Sequence, residues 1–165
     1  MRRAIFALLT LAGCAQPPDR ELDLVASRIE EVTRIEGAVY APELLAQSES
    51  ELAEARRLAL DDGDYRESIR VAAVARARAD AAYAKASSEK QLTARHVARL
   101  LEELEGLIDI ARSHGADREN EVELARFEQR RAGIAEVALR GDLLTALAEG
   151  ESLKPELIDF EKRFR

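Results

Sequence analysis

One cysteine, no tryptophan, four prolines and only 4% aromatic residues in a chain of 165 limit what this protein can be. With Cys14 alone there is no intramolecular disulfide, so stability has to come from packing. Few aromatics make for an aliphatic core, and the abundant alanine favours close helix-on-helix contact over a thick globular interior. The apolar run from Ala4 to Cys14 has about half of the ~20 residues that a transmembrane helix needs. Positive charge is also in deficit, with 25 Lys and Arg against 32 Asp and Glu. A phosphate-binding surface needs a concentrated positive field, so nucleic acid is not an expected partner.

The N-terminus holds the most specific motif. Arg2 and Arg3 form a positive n-region, Ala4 to Thr10 an apolar h-region, and Ala12-Gly13 the small residues before a cleavage point. Leu11-Ala12-Gly13-Cys14 resembles the lipobox of bacterial lipoprotein precursors at all four positions. That resemblance implies recognition by a signal peptidase through Leu11, Ala12 and Gly13, a diacylglycerol on the Cys14 sulfur, cleavage before Cys14 and acylation of the new amino group. An ordinary secretory signal with a coincidental cysteine is the plainer alternative. Each buried methylene contributes roughly 0.8 kcal/mol and stable anchoring takes two membrane signals, so several acyl chains on one residue would hold the chain durably. The resemblance also implies a destination. In enteric-type Gram-negative bacteria an Asp after the cysteine retains a lipoprotein in the inner membrane; Ala15 stands there instead, which points to the periplasmic face of the outer membrane. Loss of residues 1–13 would leave 23 basic and 32 acidic residues, a net charge of −9. Residues 14–18 then read as a lipidated cysteine and a short tether, with a helical domain over 19–165.

Helical periodicity fills that domain. Leu22, Val25, Ile29 and Val32 share one stripe of a helix from about Asp19, its expected N-cap, to Ile35, with Gly37 as its stop. Pro42 suits the first position of a second helix, whose stripe is Leu45, Ser48, Leu52, Ala55 and Ala59. Asp61-Asp62-Gly63-Asp64 closes it, and Asp64 can cap a third helix that meets no Pro or Gly from Tyr65 until Gly106. Along this helix Ala72, Ala75, Ala79, Ala82 and Ala86 keep a three-four spacing, and Val97, Leu100, Leu104, Leu107 and Ala111 resume it. The seam changes from alanine to leucine near Ser87-Ser88, and the pattern leaves open whether the helix continues through that point. After His114-Gly115, Asp117 opens a fourth helix to about Arg140, Gly141-Asp142 turns the chain, Leu143 to Ala148 forms a short helix, and Pro155 starts a last segment. The expected fold is all-α, an elongated antiparallel helical bundle or coiled coil. It has two end-to-end bundles, over 19–90 and 91–165, sharing one long central helix.

Leu58 to Asp64 compares with Val137 to Asp142, both reading helix, Gly-Asp turn, helix. That match fits either an internal duplication or a favourable connector used twice. Tyr40-Ala41-Pro42-Glu43, the Leu/Ala helix after it and Gly63-Asp64-Tyr65 resemble, over about 19–90, an uncharacterised family of helical domains in Gram-negative envelope lipoproteins. Some members carry an OmpA-like peptidoglycan-binding domain. Nothing after Lys90 reads as such a domain, so direct peptidoglycan binding is not implied here.

Reacting groups are scarce. His96 and His114 lie far apart, without the short ligand spacing of a zinc site, and read as structural. Asp61, Asp62 and Asp64 lack the EF-hand pattern and read as a solvated turn with a helix cap. Glu30-Glu31 and Glu102-Glu103 read as exposed faces, Glu123 with Arg126 and Glu128 with Arg131 as (i, i+3) pairs. No serine sits in a nucleophile elbow. No catalytic, cofactor-binding or metal-ligating residue is therefore expected, and the chain is not expected to be an enzyme. Arg56, Arg57, Arg66, Arg70, Arg76 and Arg78 could form a basic patch, although acidic residues interleave with them. The expected function is that of a membrane-anchored structural or adaptor lipoprotein with an envelope protein as partner. The alternative is a module that binds a small molecule or lipid in a pocket formed by Leu100, Leu104, Leu107, Phe127, Phe160 and Phe164.

Overall fold

The structure is a computed structural model that describes residues 17–164, an all-α chain in which helices are joined by short turns. Leu11, Ala12, Gly13 and Cys14 lie outside the described residues. In order the helices are α1 (Asp19–Arg34), α2 (Gly37–Tyr40), α3 (Pro42–Leu60), α4 (Tyr65–Ser113), α5 (Ala116–Glu119), α6 (Glu121–Leu139) and α7 (Leu143–Lys162). The chain divides into two compact units, the first ending at Ala84 and the second beginning at Lys85. Helix α4 runs without a break through Ser87-Ser88, so each unit takes one part of it.

In the first unit α1, α3 and the alanine-rich part of α4 bury the residues their periodicity assigns. Leu22, Val25, Ile29 and Val32 face inward from α1, Leu45, Ser48, Leu52, Ala55 and Ala59 from α3, and Ala72, Ala75, Ala79 and Ala82 from α4. Two buried hydroxyls are satisfied locally: Ser68 donates to the Ala55 carbonyl at 2.7 Å, joining α4 to α3, and Ser48 to the Leu45 carbonyl at 2.9 Å. Pro42 opens α3 as expected, and Asp64 accepts from the Glu67 N–H at 3.1 Å to cap α4.

Two boundaries in this unit differ from the sequence expectation. Asp19 is the first helical residue and not the cap, because the Pro18 carbonyl already accepts from the Leu22 N–H at 3.0 Å. Gly37 does not stop α1. Glu36 takes the left-handed conformation there (φ 66°) and Gly37 begins the one-turn α2. Gly37 is needed for space, since a Cβ there would lie 2.3 Å from Val32 Cγ1 and 2.8 Å from the Val32 carbonyl oxygen. Gly37→Ala is accordingly expected to destabilise the first unit by about 1–3 kcal/mol, the ordinary range for overpacking, measurable as a lower urea midpoint at unchanged slope.

In the second unit the rest of α4, with α5, α6 and α7, encloses a thicker core of Val97, Leu100, Leu104, Ile108, Leu124, Phe127, Ile134, Leu153, Leu157 and Phe160. Ile108, and not Leu107, takes the fully buried position, since two successive steps of four follow Leu100; Leu107 packs half-buried at the edge. The single fourth helix expected from Asp117 is interrupted at Asn120 (φ −149°, ψ 51°), which separates α5 from α6. The last two segments are one helix, with Pro155 inside α7. Pro155 lies on the exposed side, so its missing N–H costs one bond to the Glu151 carbonyl while Gly150, Leu153, Leu157 and Phe160 hold the buried side in register.

The two units repeat one plan. Residues 42 to 60 of α3 correspond to residues 121 to 139 of α6, a displacement of 79. The same shift places the left-handed Glu36 on the left-handed Gly115, the one-turn α2 on the one-turn α5, and Ala41 (φ −145°, ψ 49°) on Asn120 with nearly the same dihedrals. Leu22, Val25, Ile29 and Val32 fall on Leu101, Leu104, Ile108 and Ala111. Past the turn, Gly63 corresponds to Gly141, a displacement of 78, and both have positive φ. Ala72, Ala75, Ala79 and Ala82 then fall on Gly150, Leu153, Leu157 and Phe160, all buried. Agreement in backbone, in the cap after each Gly-Asp turn and in most inward positions extends the short resemblance of the two turns through much of both units, although Leu22, Leu52 and Ala59 fall on the less buried Leu101, Arg131 and Ala138: the two units share one helical plan.

Candidate functional site

Each unit has a seam between its α1-type helix and the helix that follows its Gly-Asp turn. In the first unit Arg28 on α1 donates to Asp80 on α4 at 2.7 Å and to Glu31 at 2.5 Å. Its guanidinium lies 4.2 Å from the centre of the Tyr83 ring. The hydrogen bond to Glu31, opposed by desolvation and assisted by Asp80, holds Arg28 above its ordinary pKa. Towards the start of α4 the same seam opens into a groove of about 140 Å³ with Val25 and Ala72 beneath and Leu24, Ile69 and Ala73 along its sides. In the second unit Lys154 donates to Glu103 at 2.6 Å across the corresponding seam and lowers the Glu103 pKa, chiefly through that hydrogen bond.

Several other charged side chains tie helix to helix. Arg78 on α4 pairs with Glu51 on α3 at 3.1 Å. Arg130 on α6 holds Glu156 on α7 at 2.5 Å and depresses that carboxyl, mainly by hydrogen bonding. The expected pairs of Glu123 with Arg126 and Glu128 with Arg131 are replaced by longer-range partners. Glu123 meets Arg163 at 3.1 Å, Glu128 meets Arg112 at 2.6 Å, and Arg131 pairs with Glu105 on α4. Those carboxylates look across the seam to a neighbouring helix, where a cation completes the packing without stretching along its own helix. All are partly exposed, so each pair contributes little individually.

The histidines are separated. His96 is exposed, with Nε2 3.5 Å from Glu151, while His114 Nδ1 lies 3.2 Å from Glu161. Glu161 is only 2% exposed, a buried acid that the sequence reading missed. Its place one residue after Phe160 and four after Leu157, on the apolar side of α7, was the available signal. Asp62 pairs with Arg57 at 2.7 Å, and Asp64 serves as the cap described above. Among the described residues no group of three or more His, Cys, Asp or Glu side chains is placed to hold a metal ion. Glu31 and Glu103 are engaged with Arg28 and Lys154, not with their sequence neighbours Glu30 and Glu102.

The arginine group is only partly neutralised. Arg57 is bound to Glu54 and Asp62, Arg70 to Glu67 and Arg78 to Glu51, whereas among the described residues no salt bridge engages Arg56, Arg66 or Arg76. The residues of the alternative apolar pocket form ordinary core. Leu100, Leu104, Phe127 and Phe160 are buried against one another, with Leu107 and Phe164 packed at their edge. The Phe160 ring lies 5.0 Å from Phe127 and 5.1 Å from Phe164, centre to centre. An open cleft of about 590 Å³ occurs elsewhere in the unit, between α6 and α7, beside Arg130, Gly133 and Glu149. No described helix is long and apolar enough to cross a membrane. No protein-family model matches this chain, and neither a curated protein nor a solved structure does.

Proposed function

We propose that this chain is a lipid-anchored envelope protein, held through Cys14 at the periplasmic face of the outer membrane, whose helical repeat makes structural or adaptor contacts with other proteins. Leu11-Ala12-Gly13-Cys14 behind a charged and then apolar leader is the observation that carries the anchor. The contact-making half of the reading is supported by the use of the charged groups. Glu103, Glu105, Glu128 and Glu156 are engaged by cations of neighbouring helices and brace the bundle. The same reading gives the chain no catalytic residue and no cofactor, and its membrane contact is covalent lipid in place of a spanning helix. Against the small-molecule alternative weighs the packing of Phe127, Phe160 and Phe164 against one another where that reading would place its pocket.

Cys14→Ser tests the anchor in cells. The variant is expected to leave the membrane fraction or to accumulate with its leader uncleaved, and to lose incorporation of labelled palmitate. Unchanged processing, labelling and membrane retention would remove the basis of the proposal.

A further inference from the structure

The repeat supplies an internal control for the open groove of the first unit. Leu24, Ala73 and Arg76 have Glu103, Glu151 and Lys154 as their counterparts in the second unit. There the seam is covered by the Glu103–Lys154 pair at 2.6 Å and by His96 beside Glu151 at 3.5 Å. In the first unit Leu24 and Ala73 leave it bare: Leu24 is 46% exposed and the adjoining Ile69, whose counterpart Leu147 is also apolar, 44%, while Val25 and Ala72 beneath them are 1% exposed. Glu21 on α1 stands at one rim and Arg76 on α4 at the other, and neither has a salt-bridge partner among the described residues. One plan is thus covered by a Lys–Glu ion pair and a His–Glu contact in one copy and left apolar, with a separated acid and base, in the other.

From this pattern we propose that the α1–α4 groove of the first unit docks against the same groove of a second copy of this chain. The charge arrangement selects that occupant. A two-fold axis through the groove brings Glu21 of each copy to Arg76 of the other and joins two apolar strips, which is the self-complementarity that an isologous interface requires. An anionic lipid surface would call for cations on both rims, and Glu21 opposes it. Helix α1 has 16 residues, ~24 Å of length, so two adjacent helices present a face of roughly 500 Å² per copy. About 1,000 Å² in total is at the lower end for a specific complex and makes the dimer weak and exchangeable. Tethering on one membrane raises the effective concentration at which such a contact operates. The inference rests on the contact-making half of the proposed function and names its partner; an anchored monomer would refute it and leave the anchor standing.

The test uses the full-length chain in cells, with two epitope tags on separate copies and a photocrosslinking residue at Ala73. An adduct of twice the chain mass carrying both tags is expected. Glu21→Arg or Arg76→Glu expressed alone should lower its yield about tenfold, the equivalent of ~1.4 kcal/mol. Co-expression of the two variants should restore it, because in the mixed pair the introduced arginine meets the introduced carboxylate while native Arg76 meets native Glu21. Leu24→Glu should abolish the adduct without loss of helical circular dichroism in the purified chain. Absence of the double-tagged adduct, an adduct to a different protein, or single variants that fail to complement would each overturn the proposal, and membrane fractionation of the same cells reports the anchor separately.

Discussion

Phe160→Ala is expected to destabilise the second unit by about 3–5 kcal/mol, the range for emptying a fully buried aromatic site. Phe160 is 0% exposed and sits between the rings of Phe127 and Phe164. Removing it takes away its own transfer free energy and leaves both neighbours without a partner face. Collapse into the space is restricted. Leu104, Leu153 and Leu157 are already fully buried, and Gly150 is pressed against Leu100, where an added Cβ would lie 2.6 Å from Cδ2. The helices therefore cannot close on the cavity without disturbing a neighbouring contact. Urea unfolding followed by hydrogen exchange in α6 and α7 is the appropriate measurement, because a two-unit chain need not melt in one step. A loss below ~1 kcal/mol, with exchange in α6 and α7 unchanged, would mean that the second unit does not depend on this ring.

The helical stripes were legible because they depend on spacing alone. Every inward position expected from α1, α3 and the alanine seam is buried, and the Asp64 cap and the turns at Gly63, Gly115 and Gly141 follow from turn chemistry. The one-turn helices α2 and α5 were not legible. Glu36 adopts positive φ although it is neither Gly nor Asn, and nothing local at Asn120 prescribes the non-helical conformation (φ −149°, ψ 51°) that separates α5 from α6. Packing acts at both: Gly37 and Ala116, at equivalent positions, are buried, Gly37 against Val32 and Ala116 in the core of the second unit. Charge partners were missed for a related reason. Arg131 and Glu105, or Arg163 and Glu123, meet only after α4, α6 and α7 are assembled, whereas spacing along one helix suggested nearer partners. The shared plan was visible only at its Gly-Asp turns, since most inward positions keep their burial while changing residue, as Ala82 and Phe160 do.

That pair of positions sets the second large effect. Ala82 is the counterpart of Phe160, and Ser48 on α3 is the counterpart of Phe127. Where the second unit places two rings 5.0 Å apart, the first buries Ser48 and Ala82, each at 0% exposure. Ala82→Phe is therefore expected to be severely destabilising, by about 3 kcal/mol or more, at the upper end of the penalty for inserting volume into a closed core. The cost arises from α4 lying close to α3, where Ser68 donates to the Ala55 carbonyl at 2.7 Å and Arg78 reaches Glu51 at 3.1 Å. A ring at position 82 forces these helices apart and breaks the contacts that fix their spacing. Hydrogen exchange should rise most in α1 and α3, and the dimer adduct at Ala73 should fall with the loss of α1–α4 packing. Restoring the second unit's thickness on both helices with an added Ser48→Phe would not rescue the variant, because Ala72, Ala75 and Ala79 still hold the rest of the seam at alanine width. A double variant as stable as the parent would show instead that the first unit can open to the thicker spacing of its repeat, and would make the alanine seam a choice of geometry that stability does not require.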